Sequence, residues 1–259
     1  MDTSKIVEEY KKITRDIVER AINLGIEELQ FETELSFKST RNPKIAYEII
    51  NSQIDILEKF YSEYNVRIAL RATVADLRGL RDLSFDETLN NIFEAFETVS
   101  EAGAHVLSIE SIGRKEVSDY ALIDGEIEGL VYSLGILAAR DMKRLWKEIS
   151  DIARRNKVIP GGDTACGFAN TAMKLAGGLV KGLLSHVFAA VVRALSSSRS
   201  LVAYEAGAVG PGKDCGYENV IIKAVTGFPK SMEGKSSAIA HSSLIGNIVV
   251  ATCDLWSNE

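Results

Sequence analysis

The strongest constraint on this chain is an alternation. Short runs of β-like composition are followed repeatedly by longer stretches whose apolar residues recur three and four apart. "LQFETEL" (29–35) precedes "PKIAYEIINSQIDILEKFYSEY" (43–64), in which Ile50, Ile54 and Leu57 share one helical face. "VRIALRATVADL" (66–77) precedes a helix over 84–103, where Ser84 and Glu87 have capping-box spacing and Gly103 suits a C-terminal stop. "HVLSIES" (105–111), a helical region over 126–155, "KVIPGGDT" (157–164), helices through 197, "SLVAYEAG" (200–207), a helix near 217–226 and "KSMEGKSS" (230–237) continue the pattern. The tail from Ala238 to Trp256 fits a helix or a helix and a strand.

Strand and helix alternating at roughly thirty to forty residues per unit imply βαβ crossovers and a parallel sheet. Nothing in the chain reads as a linker, so the expectation is a single α/β domain over residues 1–259. A doubly wound sheet and a TIM (β/α)8-type barrel both satisfy the alternation. The runs end in polar or acidic residues, Glu34, Asp76, Glu110, Asp163 and Glu205, each just before a loop. In a barrel such ends converge on one face, where active sites sit, and this favours the barrel. About six units are counted against the eight of a closed barrel. Unpaired sheet edges invite association, so an oligomer is expected.

A net charge of −6 over 259 residues leaves no basic surface to neutralise nucleic-acid phosphates or an anionic membrane. The N-terminus, charged and helical in period, does not have the form of a signal peptide, and no apolar run approaches the eighteen or so residues that span a bilayer. Cys166, Cys215 and Cys253 are too few and too widely spaced for a disulfide framework. The expectation is a cytoplasmic protein in a reducing compartment.

Gly207 through Lys213, in "YEAGAVGPGKDCGYEN", has the G-x-x-x-x-G-K spacing of a P-loop. The next position breaks the match: a P-loop needs a hydroxyl there for Mg²⁺, and this chain has Asp214. A second use of the loop is to present Cys215. On a barrel, Glu110 ends the third strand, Cys166 lies just past the fourth, and Cys215 lies in the loop after the fifth. Two thiolates and a carboxylate are tetrahedral zinc ligands, and three protein ligands leave the open position of a catalytic site. The glycines Gly161, Gly162, Gly212 and Gly216 would let each sulfur turn inward. Without a C-x-x-C pattern, two other readings stay open: small buried cysteines, and a phosphate-binding barrel aldolase or synthase using "GPGK".

The stretches "LSIESIGRKEVSDYA", "GGDTACGFANTAM", "SLVAYEAGAVGPGKDCGYEN" and "HSSLIGNIVVATCDLWSNE" resemble the zinc-bearing subunit of methanol:corrinoid methyltransferases, from about Ser4 onward. The resemblance implies a TIM barrel with zinc held by Glu110, Cys166 and Cys215. It also implies a chain that extends further at both ends in the family. The implied reaction moves the methyl group of methanol to the Co(I) corrinoid (cobamide) of a separate corrinoid-binding protein, with zinc as a Lewis acid for the methanol oxygen. Three anionic ligands on a divalent ion leave the site net negative, so a proton donor to the departing oxygen is expected. Asp163 and Glu205 are the candidates by their position at strand ends. Hydrogen bonding of either carboxylate to loop backbone is the alternative. Another methoxylated donor, or a non-catalytic remnant that docks partners, also fits the sequence.

Overall fold

The computed structural model describes residues 3–80, 82–163, 166–173, 175–176, 186–214, 222–228 and 230–232. The chain divides into two compact units. The first comprises Met1–Ser108 and Asp151–Pro160, the second Ile109–Ser150 and Gly161–Glu259.

In the first unit, helix α1 (Thr3–Asn23) precedes strand β1 (Glu28–Glu34). The short helix α2 (Phe37–Thr40) and the long helix α3 (Pro43–Tyr64) lead to β2 (Arg67–Ala75), and α4 (Phe85–Glu101) follows. Local chemistry sets the ends of α3. The Asn42 side chain accepts from the Ile45 N–H at 3.3 Å, Pro43 occupies the first turn, and Asn65 closes the helix in the left-handed conformation. At α4 the expected capping box is present: the Glu87 N–H donates to Ser84 Oγ at 3.3 Å, and the Ser84 N–H donates to Glu87 Oε2 at 3.0 Å.

β1 and β2 pair in parallel, with Phe31 opposite Leu70. α1 packs on α3, and Ile45, Ala46, Ile49 and Ile50 of α3 are buried. A polar bridge crosses this core. Thr33 Oγ1 of β1 donates to Gln53 Oε1 of α3 at 3.0 Å, and Gln53 Nε2 donates to Thr14 Oγ1 of α1 at 2.9 Å. All three residues are buried, so the bridge fixes one register of the three elements where an apolar core would tolerate several.

The next elements are β3 (Val106–Glu110), α5 (Lys115–Asp124), α6 (Ile127–Leu130), a π-helical stretch (Val131–Ala138), α7 (Ala139–Asn156) and β4 (Ile159–Asp163). After them come α8 (Cys166–Met173), α9 (His186–Glu205) and two short strands, β5 (Gly212–Asp214) and β6 (Lys230–Met232). The main sheet has the order β1-β2-β3-β4, the sequential order that successive βαβ units produce. β5 and β6 pair in parallel with each other. In the second unit Leu130, Leu134, Phe168, Ala172 and Val192 form the buried apolar cluster.

Four of the expected strands stand where the alternation put them, within two residues at each end. The strand expected over 200–207 is instead the last six residues of α9 and the turn after it. The fifth strand comes later, at Gly212–Asp214, inside the segment read as a phosphate-binding candidate; its backbone is engaged in pairing with β6. Of the strand expected over 230–237, residues 230–232 are seen as β6. The helix expected near 217–226 is seen over 222–226. The tail from 238 onward, with Cys253, lies outside the described residues. No helix among the described residues is long and apolar enough to cross a membrane.

Candidate metal centre

Glu110 is the last residue of β3, and Cys166 is the first of α8. The backbone N–H groups that open a helix favour negative charge beside them, which suits a thiolate at that position. The geometry brings the two segments together. A Cβ placed on Gly167 would stand 3.3 Å from Glu110 Oε1, so the carboxylate lies directly against the first turn of α8. The absence of a side chain at Gly167 makes the room that the Glu110 carboxylate occupies.

The third expected ligand, Cys215, lies outside the described residues, as does the side chain of Cys166. Cys215 follows β5 directly, and β5 is tied to β4. Gly162, with φ of +137°, comes so near β5 that a Cβ on it would lie 3.1 Å from the Gly212 Cα. The Gly212 N–H donates to the Tyr204 hydroxyl at 3.1 Å, and the Tyr204 ring stacks on Phe228 at 4.9 Å between centroids. Strand ends carrying Glu110 and preceding Cys166 and Cys215 thus belong to one neighbourhood of the second unit. Among the described residues alone, no three His, Cys, Asp or Glu side chains converge.

The two carboxylates expected to donate a proton differ sharply in their surroundings. Asp163 ends β4 and is buried. Its Oδ1 accepts from the Ser111 N–H at 3.2 Å, and its Oδ2 accepts from Ser111 Oγ at 2.9 Å and from Arg199 Nη2 at 3.5 Å. Glu205 is not at a strand end. It closes α9, its side chain is 66% exposed, and it pairs with Lys143 at 3.4 Å. The error has a physical source: "SLVAYEAG" is short and rich in apolar residues, a composition that suits a buried strand and a helix end alike.

Sequence reasoning missed Arg199, Ser111 and Gly167. Arg199 is buried on α9, with its guanidinium carbon 4.0 Å from the centre of the Phe168 ring. Its Nη2 donates to the Ser111 carbonyl at 2.8 Å and to Ser111 Oγ. The available signal was a lone cation among small residues, in "SSSRS", on a stretch of helical period.

Comparison with known proteins follows the same line. Residues 1–259 match the family described as methanol-cobalamin methyltransferase B subunit (MtaB). The chain is 49% identical over 257 residues to a methanol–corrinoid protein co-methyltransferase of Methanosarcina barkeri (strain Fusaro / DSM 804), covering 98% of this chain and 56% of the relative. It also superposes on a chain in the crystal structure of the methanol:cobalamin methyltransferase complex MtaBC from Methanosarcina barkeri. The TM-score is 0.88 at 46% identity, over 98% of this chain and 56% of that one. The chain therefore spans a little over half the length of either relative. The likeness shows a shared fold, α/β and of the TIM-barrel type. This chain belongs to the methanol-cobalamin methyltransferase B subunit family.

Proposed function

We propose that Glu110, Cys166 and Cys215 hold a zinc ion, and that the chain is part of a methyltransferase subunit taking the methyl group of methanol to the Co(I) corrinoid of a partner protein. The observation that carries the reading is the seat of the Glu110 carboxylate against Gly167, beside Cys166 at the head of α8. A carboxylate and two thiolates are a fitting donor set for zinc, and three ligands leave one position for substrate. Zinc, when bound, supplies a Lewis acid for the methanol oxygen. The names of the relatives, a methanol–corrinoid co-methyltransferase and a methanol:cobalamin methyltransferase complex, support the same substrate and partner.

The chain's own residues divide the work. Glu110 and the two cysteines bind. Asp163 positions, because both its oxygens are taken up by Ser111 and Arg199 and it anchors the residue next to Glu110. Neither carboxylate is set up as a proton donor: Asp163 accepts at both oxygens, and Glu205 is exposed and paired with Lys143. Phe168 and Ala172 of α8 and Val192 of α9 are buried in one apolar cluster.

Metal content of the purified protein tests the assignment. About one zinc per chain is expected in the wild type, with loss in Cys166→Ala, Cys215→Ala and Glu110→Gln variants that remain folded. Transfer of methyl from labelled methanol to a Co(I) corrinoid protein should disappear with the metal. Zinc retained in both cysteine variants would overturn the ligand set.

A further inference from the structure

We propose that Arg199 is a positioning residue for the metal ligands: one buried guanidinium ties the segment bearing Glu110 to the segment bearing Cys166. The inference rests on the ligand reading above and goes beyond it, since Arg199 is neither a ligand nor a proton donor.

Contacts with three residues carry it. Arg199 Nη2 donates to the carbonyl of Ser111, 2.8 Å away, and to the Ser111 hydroxyl; Ser111 directly follows Glu110. The same Nη2 faces Asp163 Oδ2 at 3.5 Å, and Asp163 stands three residues before Cys166. The guanidinium carbon lies 4.0 Å from the ring centre of Phe168, two residues after Cys166. The Ser111 hydroxyl completes the link by accepting from Arg199 and donating to Asp163 Oδ2 at 2.9 Å. The end of β3, the end of β4 and the first turn of α8 are thus held by one side chain from α9.

Stability alone gives a poor reason for this arrangement. The Arg199 and Asp163 side chains are both 0% exposed, and an ion pair so far from water roughly breaks even against an apolar pair of the same volume. What the guanidinium adds is geometry. One nitrogen, Nη2, serves a carbonyl, a hydroxyl and a carboxylate while the guanidinium carbon stands over an aromatic ring, and a lysine ammonium has no delocalised plane to set against that ring. Because Asp163 balances its charge, the field it sends to the ligands is small, so its influence on metal binding is one of position.

The experiment uses the full chain with Co(II) in place of zinc, comparing wild type with Arg199→Lys, Arg199→Met and Ser111→Ala. It reads the thiolate-to-cobalt charge-transfer band, the d–d envelope, the Co(II) dissociation constant by chelator competition, and the far-UV circular dichroism. The expected result is that both Arg199 variants, folded, bind at least about tenfold more weakly with an altered d–d envelope, and that lysine does not rescue. Wild-type affinity and spectrum in folded Arg199→Lys would overturn the inference and leave the ligand set standing. A wild type with no thiolate band would overturn the ligand set itself, and the role of Arg199 with it. If both Arg199 variants fail to fold, Ser111→Ala decides: a changed envelope supports the link, and an unchanged envelope and affinity overturn it.

Discussion

The Glu110 carboxylate oxygen lies 3.3 Å from the point where a Gly167 side chain would begin. That gap is tighter than ordinary van der Waals contact, so an added methyl group has to displace the carboxylate by a few tenths of an ångström. Gly167 sits within α8, where alanine is the better helix former. Gly167→Ala should therefore leave thermal stability unchanged or slightly raised and, with Glu110 a zinc ligand as proposed, weaken zinc binding about tenfold. Chelator competition alongside a melting curve separates the two effects, and equal affinity would show that the carboxylate is not held where zinc needs it.

Gly162 should be far less tolerant. Its φ of +137° is open to glycine and hostile to other residues, and its missing side chain is what lets the Gly212 backbone approach. Gly162→Ala combines backbone strain with a clash, a destabilisation of about 1–3 kcal/mol. Urea unfolding measures it; an unchanged midpoint would mean that β4 and β5 do not come together as described.

His105 makes stability depend on pH. Its Nδ1 accepts from the Leu70 N–H at 2.9 Å, which requires that nitrogen to be unprotonated. Burial of the ring against the strands pushes the imidazole below its ordinary value, and the nearby Glu58 carboxylate offsets only part of this. With the folded value lowered, the unfolded chain takes up the proton first as pH falls. The contribution is complete above an ordinary histidine value of about 6.5 and is lost as pH drops from there through the folded value. His105→Asn keeps an acceptor for Leu70 but does not titrate. Between about pH 7.5 and pH 5.5 the wild type should lose urea resistance relative to this variant. Parallel losses in the two proteins would remove His105 as the cause.

The capping box at α4 gives a simple stability prediction. Ser84→Ala removes the hydroxyl that satisfies the Glu87 N–H and should cost about 1 kcal/mol. Ser84→Asp, which restores an acceptor at the positive end of the helix, should recover most of it. The same urea titration reads both, and a neutral Ser84→Ala would mean that water serves the helix end equally well.

The parts of this fold that could be read from the chain are those decided locally. α3 announces itself through Asn42, Pro43 and a long apolar period, and α4 through Ser84 and Glu87. Glu110 could be placed because it ends a run of strand residues whose preceding positions are all buried. β5 could not. Gly212, Lys213 and Asp214 have no strand preference of their own, and their extended form depends on β6 and on the close approach of Gly162. The end of α9 was misread for a related reason. Ser196, Arg199, Ser200, Ala203 and Tyr204 are buried at helical spacing, but only two of the five are apolar enough to mark the pattern. Gly167 and Arg199 matter through partners far away in sequence, which no local window contains.

The burial of Arg199 also makes the seat of α9 conditional on its neighbours. A guanidinium leaves water only where partners are ready to receive it. The Ser111 carbonyl and the Asp163 carboxylate form such a receptor only once the ends of β3 and β4 stand side by side. The seat of α9 is therefore built jointly by the two strand ends, and a change that parts them leaves its cation without the carbonyl and the carboxylate that receive it.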